Sequence, residues 1–194
     1  MYKKKVLILL GHPDCDTLSG HLADSYERGA CDGGHEVRRI NICDLEFDPI
    51  LHKGYKEIQE LEPDLIKVQE NFKWAEHVVI VYPNWWCTMP ALLKGLFDRM
   101  FLPGFAFRFS KEDSAKWEKL LTGRSARVII AAGMNPIKIR FNFGDFTNEI
   151  SRGILGFAGF NPVEVTTFGP SERATDANKK SWHKKVYNFG KKAI

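Results

Sequence analysis

The sequence predicts an α/β fold in which one parallel sheet of five strands carries helices on both faces. Three observations predict it. Strand-like and helix-like patterns alternate along the whole chain, which is the signature of a parallel sheet with crossover helices. The runs at 6–10 and 78–82 are uniformly apolar, as strands covered on both faces are. With 194 residues, of which 44% are hydrophobic and 27% charged, the chain suits one domain over positions 1–194 with a sizeable core.

Each element follows from its own pattern. Lys3, Lys4 and Lys5 before an apolar stretch resemble the start of a signal peptide. The stretch stops after five residues at Gly11-His12-Pro13-Asp14, so it reads as a first buried strand and the expected location is the cytoplasm. A helix over about 18–29 follows, with Thr17 as its N-cap. Gly33-Gly34 turns the chain into a second strand, 36–42, whose weaker alternation suits a sheet edge. The stretch 45–61 is loop-rich, and Pro63 suits the first turn of a helix running to about Trp74. After the third strand, Pro90 starts a helix over 91–100 with Leu92, Leu93, Leu96, Phe97 and Met100 on one face. A fourth strand spans 127–132, a helix 149–157 and a fifth strand 163–168. Trp182, Val186 and Phe189 form the apolar stripe of a basic closing helix. Phe105, Phe107 and Phe109 alternate within an irregular stretch, 101–123. They suit a short hairpin with one apolar side, an aromatic wall over a ligand, or both.

Composition narrows the function. A net charge of +4 is too small to argue for nucleic acid, and no run reaches transmembrane length, so no membrane insertion is expected. Cys15, Cys31, Cys43 and Cys87 match no zinc or redox spacing and read as free thiols. No metal-ligand spacing and no nucleophile elbow is visible. Asp98 and Arg99 read as an ion pair or as helix-surface charges, and neither His52 nor His77 is given a role.

Ligands of an open parallel sheet bind beyond the carboxyl ends of its strands, and three loops here leave such ends. The first, positions 11–19, brings His12, Thr17, Leu18 and Ser19 to a helix N-terminus, where unpartnered N–H groups favour an anion. Plain N-capping explains Thr17 equally well. It is neither a Walker loop nor Gly-x-Gly-x-x-Gly. The second loop holds Pro83, Asn84, Trp85, Trp86 and Cys87. Adjacent tryptophans in a loop supply flat walls for a planar ligand, with a dimer interface as the competing use. In the third, Ala131, Ala132, Gly133 and Met134, small residues let backbone approach a ligand, or simply make a turn.

These residues carry a family resemblance. His12, Thr17-Leu18-Ser19, and the run Tyr-Pro-Asn-Trp-Trp-Cys-Thr-Met-Pro-Ala-Leu-Leu-Lys-Gly-Leu-Phe-Asp-Arg-Met-Phe over 82–101 resemble the NAD(P)H:quinone oxidoreductase family. That family includes DT-diaphorase-like enzymes, modulators of drug activity and ancillary flavoproteins of potassium-efflux systems. Gly34-His35-Glu36-Val37, Phe47-Asp48-Pro49 and Gly104-Phe105-Ala106-Phe107 agree with it. The resemblance implies a flavodoxin-like fold of strand order 2-1-3-4-5 and a homodimer. It also implies bound FMN or FAD, reduced by NAD(P)H and reoxidised by a quinone-like acceptor. The flavin phosphates are then expected on His12, Thr17, Leu18 and Ser19, and the ring against 83–87 and 131–134, with no catalytic side chain. Phe105, Phe107 and Phe143 are the expected substrate-pocket residues. The chain lacks the C-terminal extension of the longer FAD-using relatives, which favours FMN. Two departures stand out. The family's Thr-Thr-Gly-Gly is here Ala131-Ala132-Gly133-Met134. A Tyr and a His near the flavin edge are missing, with Phe143 standing about where the His would be and Lys138 or Arg140 either as substitute positive charges or, more ordinarily, as solvated side chains. An electron carrier of the flavodoxin type and a regulatory flavoprotein subunit of a transport system are the alternatives, and reduction of azo or nitro groups is a third.

Overall fold

Three strands buried on both faces set the architecture. In the computed structural model, which describes residues 2–110, 112–113 and 116–194, they are β1 (Lys5–Leu10), β3 (His77–Asn84) and β6 (Ser125–Ala132). Partly exposed strands flank them, β2 (Glu36–Asn41) at one edge and β7 (Val163–Phe168) at the other. All five are parallel, in the order β2-β1-β3-β6-β7. This is the expected order 2-1-3-4-5, because β4 (Phe107–Phe109) and β5 (Trp117–Lys119) form a separate antiparallel hairpin within the irregular stretch.

Side-chain alternation divides the interior into two layers. Val6, Ile8, Leu10, Val79, Val81 and Ile129 face a layer built with α1 (Leu18–Asp32) and α5 (Asp176–Lys192). Leu7, Leu9, Val78, Ile80, Val128 and Ile130 face the opposite layer, with α2 (Pro63–Trp74) and α3 (Ala91–Met100). The helices α1 and α5 pack backbone to backbone. A Cβ on Gly29 would fall 2.0 Å from the Tyr187 carbonyl oxygen, and one on Gly190 would fall 2.1 Å from that of Tyr26.

Several expectations need correction. A further helix, α4 (Pro136–Phe143), follows the third loop, capped by the Asn135 side chain. The helix expected over 149–157 is a π-helical segment, Glu149–Gly156. The four cysteines are not all free: Cys15 and Cys43 are disulfide-bonded, whereas Cys31 and Cys87 are thiols. Asp98 and Arg99 do not pair with each other. Asp98 takes Lys94 at 2.7 Å, one turn earlier on α3. Arg99 is fully buried, where it donates to Glu62, to the Glu60 carbonyl and to that of Asp48. A buried guanidinium requires such partners. It fastens the long 45–62 connection to the body of the fold.

Candidate functional site

The loops leaving β1, β3 and β6 converge as the parallel topology requires, and the β7–α5 connection joins them. Together they enclose a cavity of about 210 Å³ lined by His12, Thr17, Leu18, Ser19, Pro83, Asn84, Trp85, Ala131, Gly133, Ser171 and Glu172. Four larger concavities lie elsewhere among the described residues, and two of these flank α1 and α3 respectively. One, of about 680 Å³, is a shallow charged surface between α1 and α5. The other, of about 560 Å³, is an apolar groove between α3, the β4–β5 hairpin and the π-helical segment. The smaller cavity is the better binding candidate despite its volume, because it sits where loops from the strand ends meet and one of its lining residues carries an unpaired polar atom.

That atom is Asn84 Oδ1, buried and without a hydrogen-bond partner. An unpaired buried acceptor costs about 1–3 kcal/mol, and Asn84 stands beside the cavity with hydrogen-bonding capacity unused. The opposite end of the cavity suits an anion. Leu18 and Ser19 open α1, their N–H groups have no acceptor within the helix, and no acidic residue occupies the first turn of that helix. Thr17 is the N-cap, its Oγ1 accepting from Gly20 N–H at 3.3 Å, so capping takes up this hydroxyl. Gly20 is required there: a Cβ would lie 1.9 Å from the Cys15 carbonyl oxygen, which folds back over the helix start. His12 Nδ1 accepts from Asp14 N–H at 2.9 Å. In the neutral ring this places the hydrogen on Nε2, leaving it as a donor.

The tryptophans separate in role. Trp85 lines the cavity and meets His12 edge to face, with ring centroids 5.5 Å apart. Trp86 points outward and is 99% exposed. Trp85 and Thr88 exchange backbone hydrogen bonds at 3.0 Å, so Trp86 and Cys87 form the tip of a two-residue hairpin. Both have positive φ, 51° and 62°. That geometry favours Asn and Gly, so the turn is strained, and strain of this kind clusters at functional sites. Glu149 braces the turn by accepting from the Thr88 hydroxyl.

The third loop supplies Ala131 and Gly133 to the cavity. Ala132 is buried and Met134 is half-exposed, and neither lines the cavity. The expected substrate-pocket residues do not assemble. Phe105 is buried in the core, Phe107 lines the separate apolar groove, and Phe143 is exposed on α4. Lys138 and Arg140 also lie exposed on α4, and Arg140 faces Asp145 at 3.8 Å. Ser171 and Glu172 were missed by sequence reasoning, although their place beyond the carboxyl end of β7 was a usable signal. Nothing in the sequence pointed to Glu149. Among the described residues the one grouping of metal-ligating atoms is Cys15, Cys43 and Asp44, and its two sulfurs are bonded to each other.

Comparison with known proteins agrees with the fold. An NAD(P)H oxidoreductase of Haemophilus influenzae is 28% identical over 184 residues, covering 90% of this chain and 88% of that protein. An FMN-dependent NADH:quinone oxidoreductase of Macrococcus caseolyticus is 29% identical over 185 residues, covering 82% and 84%. The solved NAD(P)H:quinone oxidoreductase of Methanothermobacter marburgensis shares the fold with a TM-score of 0.80 at 20% identity, covering 98% of this chain and 96% of that one. The family model for the flavodoxin-like fold matches residues 4–186, and the chain belongs to that family.

Proposed function

We propose that this chain is a flavin-dependent NAD(P)H dehydrogenase that passes a hydride from the nicotinamide to a quinone or similar small acceptor, with FMN as its cofactor. The orphaned Oδ1 of Asn84, a residue lining the cavity between the three loops, carries the proposal, because a flavin ring brings an N–H to such an acceptor. The names of the Haemophilus and Macrococcus relatives support it.

The residues present fit FMN. Its phosphate suits the N–H groups of Leu18 and Ser19 with His12 Nε2–H, while Thr17 holds the helix start in place. The ring suits the backbone of Pro83, Asn84, Trp85, Trp86 and Cys87 on one side and of Ala131, Ala132, Gly133 and Met134 on the other. The Ala residues lack the family's hydroxyls but keep their amides. A bound flavin supplies the hydride chemistry; the protein holds it, orients it and excludes water from its buried edge. Donor and acceptor use the remaining open face in turn. We further propose that the protein acts in the cytoplasm as a homodimer, with positions 1–194 forming one domain. No helix of the described residues is long and apolar enough to cross a membrane.

The test is an absorption spectrum after addition of FMN and desalting, followed by NADH or NADPH without oxygen. Retained bands near about 375 and 450 nm that bleach with nicotinamide are the expected result. Retained flavin that does not bleach would favour a carrier or regulatory subunit. Absence of retained flavin would remove the proposal.

A further inference from the structure

The disulfide between Cys15 and Cys43 has no part in the chemistry above, and its position gives it one. Cys15 lies in the first loop, between His12, whose ring lines the cavity, and Thr17, which caps α1. Cys43 lies in the 3-10 turn (Ile42–Asp44) that follows β2. The strands β1 and β2 pair in parallel and in register up to Leu10 opposite Asn41, so the sheet delivers both cysteines to the same end. The loop is therefore fixed on two sides. The Cys15 carbonyl lies against the first turn of α1 at Gly20, and the Cys15 sulfur is tied to the end of the edge strand. The 3-10 turn is itself held, with Asn41 Nδ2 donating to Asp44 Oδ2 at 2.9 Å. Both cysteines are only partly buried, so small thiols and disulfides can reach them.

We propose that Cys15 and Cys43 form a reversible redox clamp on the anion-binding loop, and that closing the clamp raises affinity for the phosphate of the cofactor. This rests on the flavin reading above. The exchange partner is a low-molecular-weight disulfide such as oxidised glutathione. The thiolate of one cysteine attacks it and expels one small thiolate. The other cysteine thiolate attacks the resulting mixed disulfide and expels the second. Two electrons pass from the cysteine pair to the small disulfide, and the two protons lost by the cysteines end on the two released thiols. The reverse exchange opens the clamp. The closed state orders residues 11–17 before the cofactor arrives, so binding no longer bears that ordering cost. In the open state the loop keeps its chain connections to β1 and α1, the Gly11 N–H bond to the Val81 carbonyl and the His12–Trp85 contact, but loses its tie to the edge strand.

The test uses the full chain stripped of flavin and equilibrated with either oxidised or reduced glutathione. Alkylation followed by peptide mass mapping reads the state of Cys15 and Cys43. Two quantities are then measured for each state: amide hydrogen exchange over residues 11–20 without flavin, and the Kd for FMN from quenching of its fluorescence. The expected result is slower exchange in the oxidised form and an FMN Kd about three- to tenfold lower. C43S and C15S should each show the faster exchange and weaker binding whichever couple is used. Equal exchange in both states, an FMN Kd that ignores the state of the pair, or failure of the two cysteines to pair in oxidised glutathione would overturn the inference. If neither form binds FMN, the flavin reading fails and this inference falls with it, with hydrogen exchange still showing whether the pair orders the loop.

Discussion

At the scale of single residues, the double tryptophan is two different devices. Trp85 stands against His12 on the cavity wall, whereas Trp86 occupies the tip of a strained turn and faces outward. Trp85→Ala should therefore weaken FMN binding by about tenfold, the order of one aromatic stacking contact. Trp86→Ala should change it by no more than about threefold, because its ring points to solvent. Titration of FMN fluorescence checks this, and equal losses in the two variants would show that both rings reach the flavin. The neighbouring Cys87 has a φ of 62°, which a β-branched side chain resists. Cys87→Val should cost about 1–3 kcal/mol in urea unfolding, while Cys87→Gly should leave stability nearly unchanged. The sequence made the loop visible through its composition, since adjacent tryptophans between prolines have no easy place in a core. It did not show which ring faces inward, because that depends on the two positive φ values. Nor did it show that Asn84 Oδ1 would lack a partner, because the burial of that atom is created by the surrounding loops.

At the scale of elements, legibility followed periodicity. The uniform strands and the α1, α2, α3 and α5 patterns were readable because one face of each element is buried and its spacing repeats. Helix α4 was not, for a physical reason. Ile137, Ile139, Phe141 and Phe143 alternate with the period of a strand, and only Ile139 is buried. The helix is set by the Asn135 cap and by Pro136 at its start rather than by an apolar face. Burial of Arg99 was equally hidden, because its partners lie 37 to 51 residues away. Arg99→Leu should cost about 2–4 kcal/mol, because it removes the donors to Glu62 and to two carbonyls at once. Glu62 gives the same contact a pH dependence. Burial raises its carboxyl pKa, but hydrogen bonds from Arg99 and from the Asp48 backbone outweigh burial and hold it below the ordinary value. Its contribution is thus present above the unfolded pKa and is lost as pH falls through the folded one. In urea titrations below about pH 5, Glu62→Gln should flatten the loss of stability with acid, and an unchanged slope would contradict this assignment. The helix pair α1–α5 is more brittle. Gly190→Ala places a methyl group 2.1 Å from the Tyr26 carbonyl, so the helices must separate, at about 1–3 kcal/mol or more.

At the scale of the whole molecule, the two ends of the sheet behave differently. At the end opposite the cavity His77 is buried. There His77 Nδ1 meets Ser125 Oγ at 2.7 Å, Nε2 has no partner, and burial, followed by the charges of Lys4, Arg127 and His35, pushes the ring pKa down to about 3. The unfolded chain takes up this proton near about pH 6.5 and the folded chain does not. Stability is thus complete above that pH and falls toward pH 3, by at most about 1.4 kcal/mol per unit from this group. At the cavity end several large apolar side chains are exposed on the loops and on α4. Trp86 leads away from the second loop, and Ile137, Phe141 and Phe143 stand on the helix that leaves the third, with exposures of 99%, 77%, 90% and 64%. Large exposed apolar groups, when contiguous, mark a surface that another surface covers. A second copy of the chain meets that need, since each Phe or Trp fully buried in a symmetric contact is worth about 1.5–3 kcal/mol and every contact occurs twice. Sedimentation velocity on the FMN-loaded protein should therefore give a dimer at about micromolar concentration, the range reached by interfaces of modest size. Phe141→Asp should give a monomer with an unchanged far-UV circular dichroism spectrum, because Phe141 is exposed and supports no core contact. A wild-type chain that sediments as a monomer at tens of micromolar would instead assign these side chains to the acceptor, and Phe141→Asp would then raise KM for a quinone without altering mass.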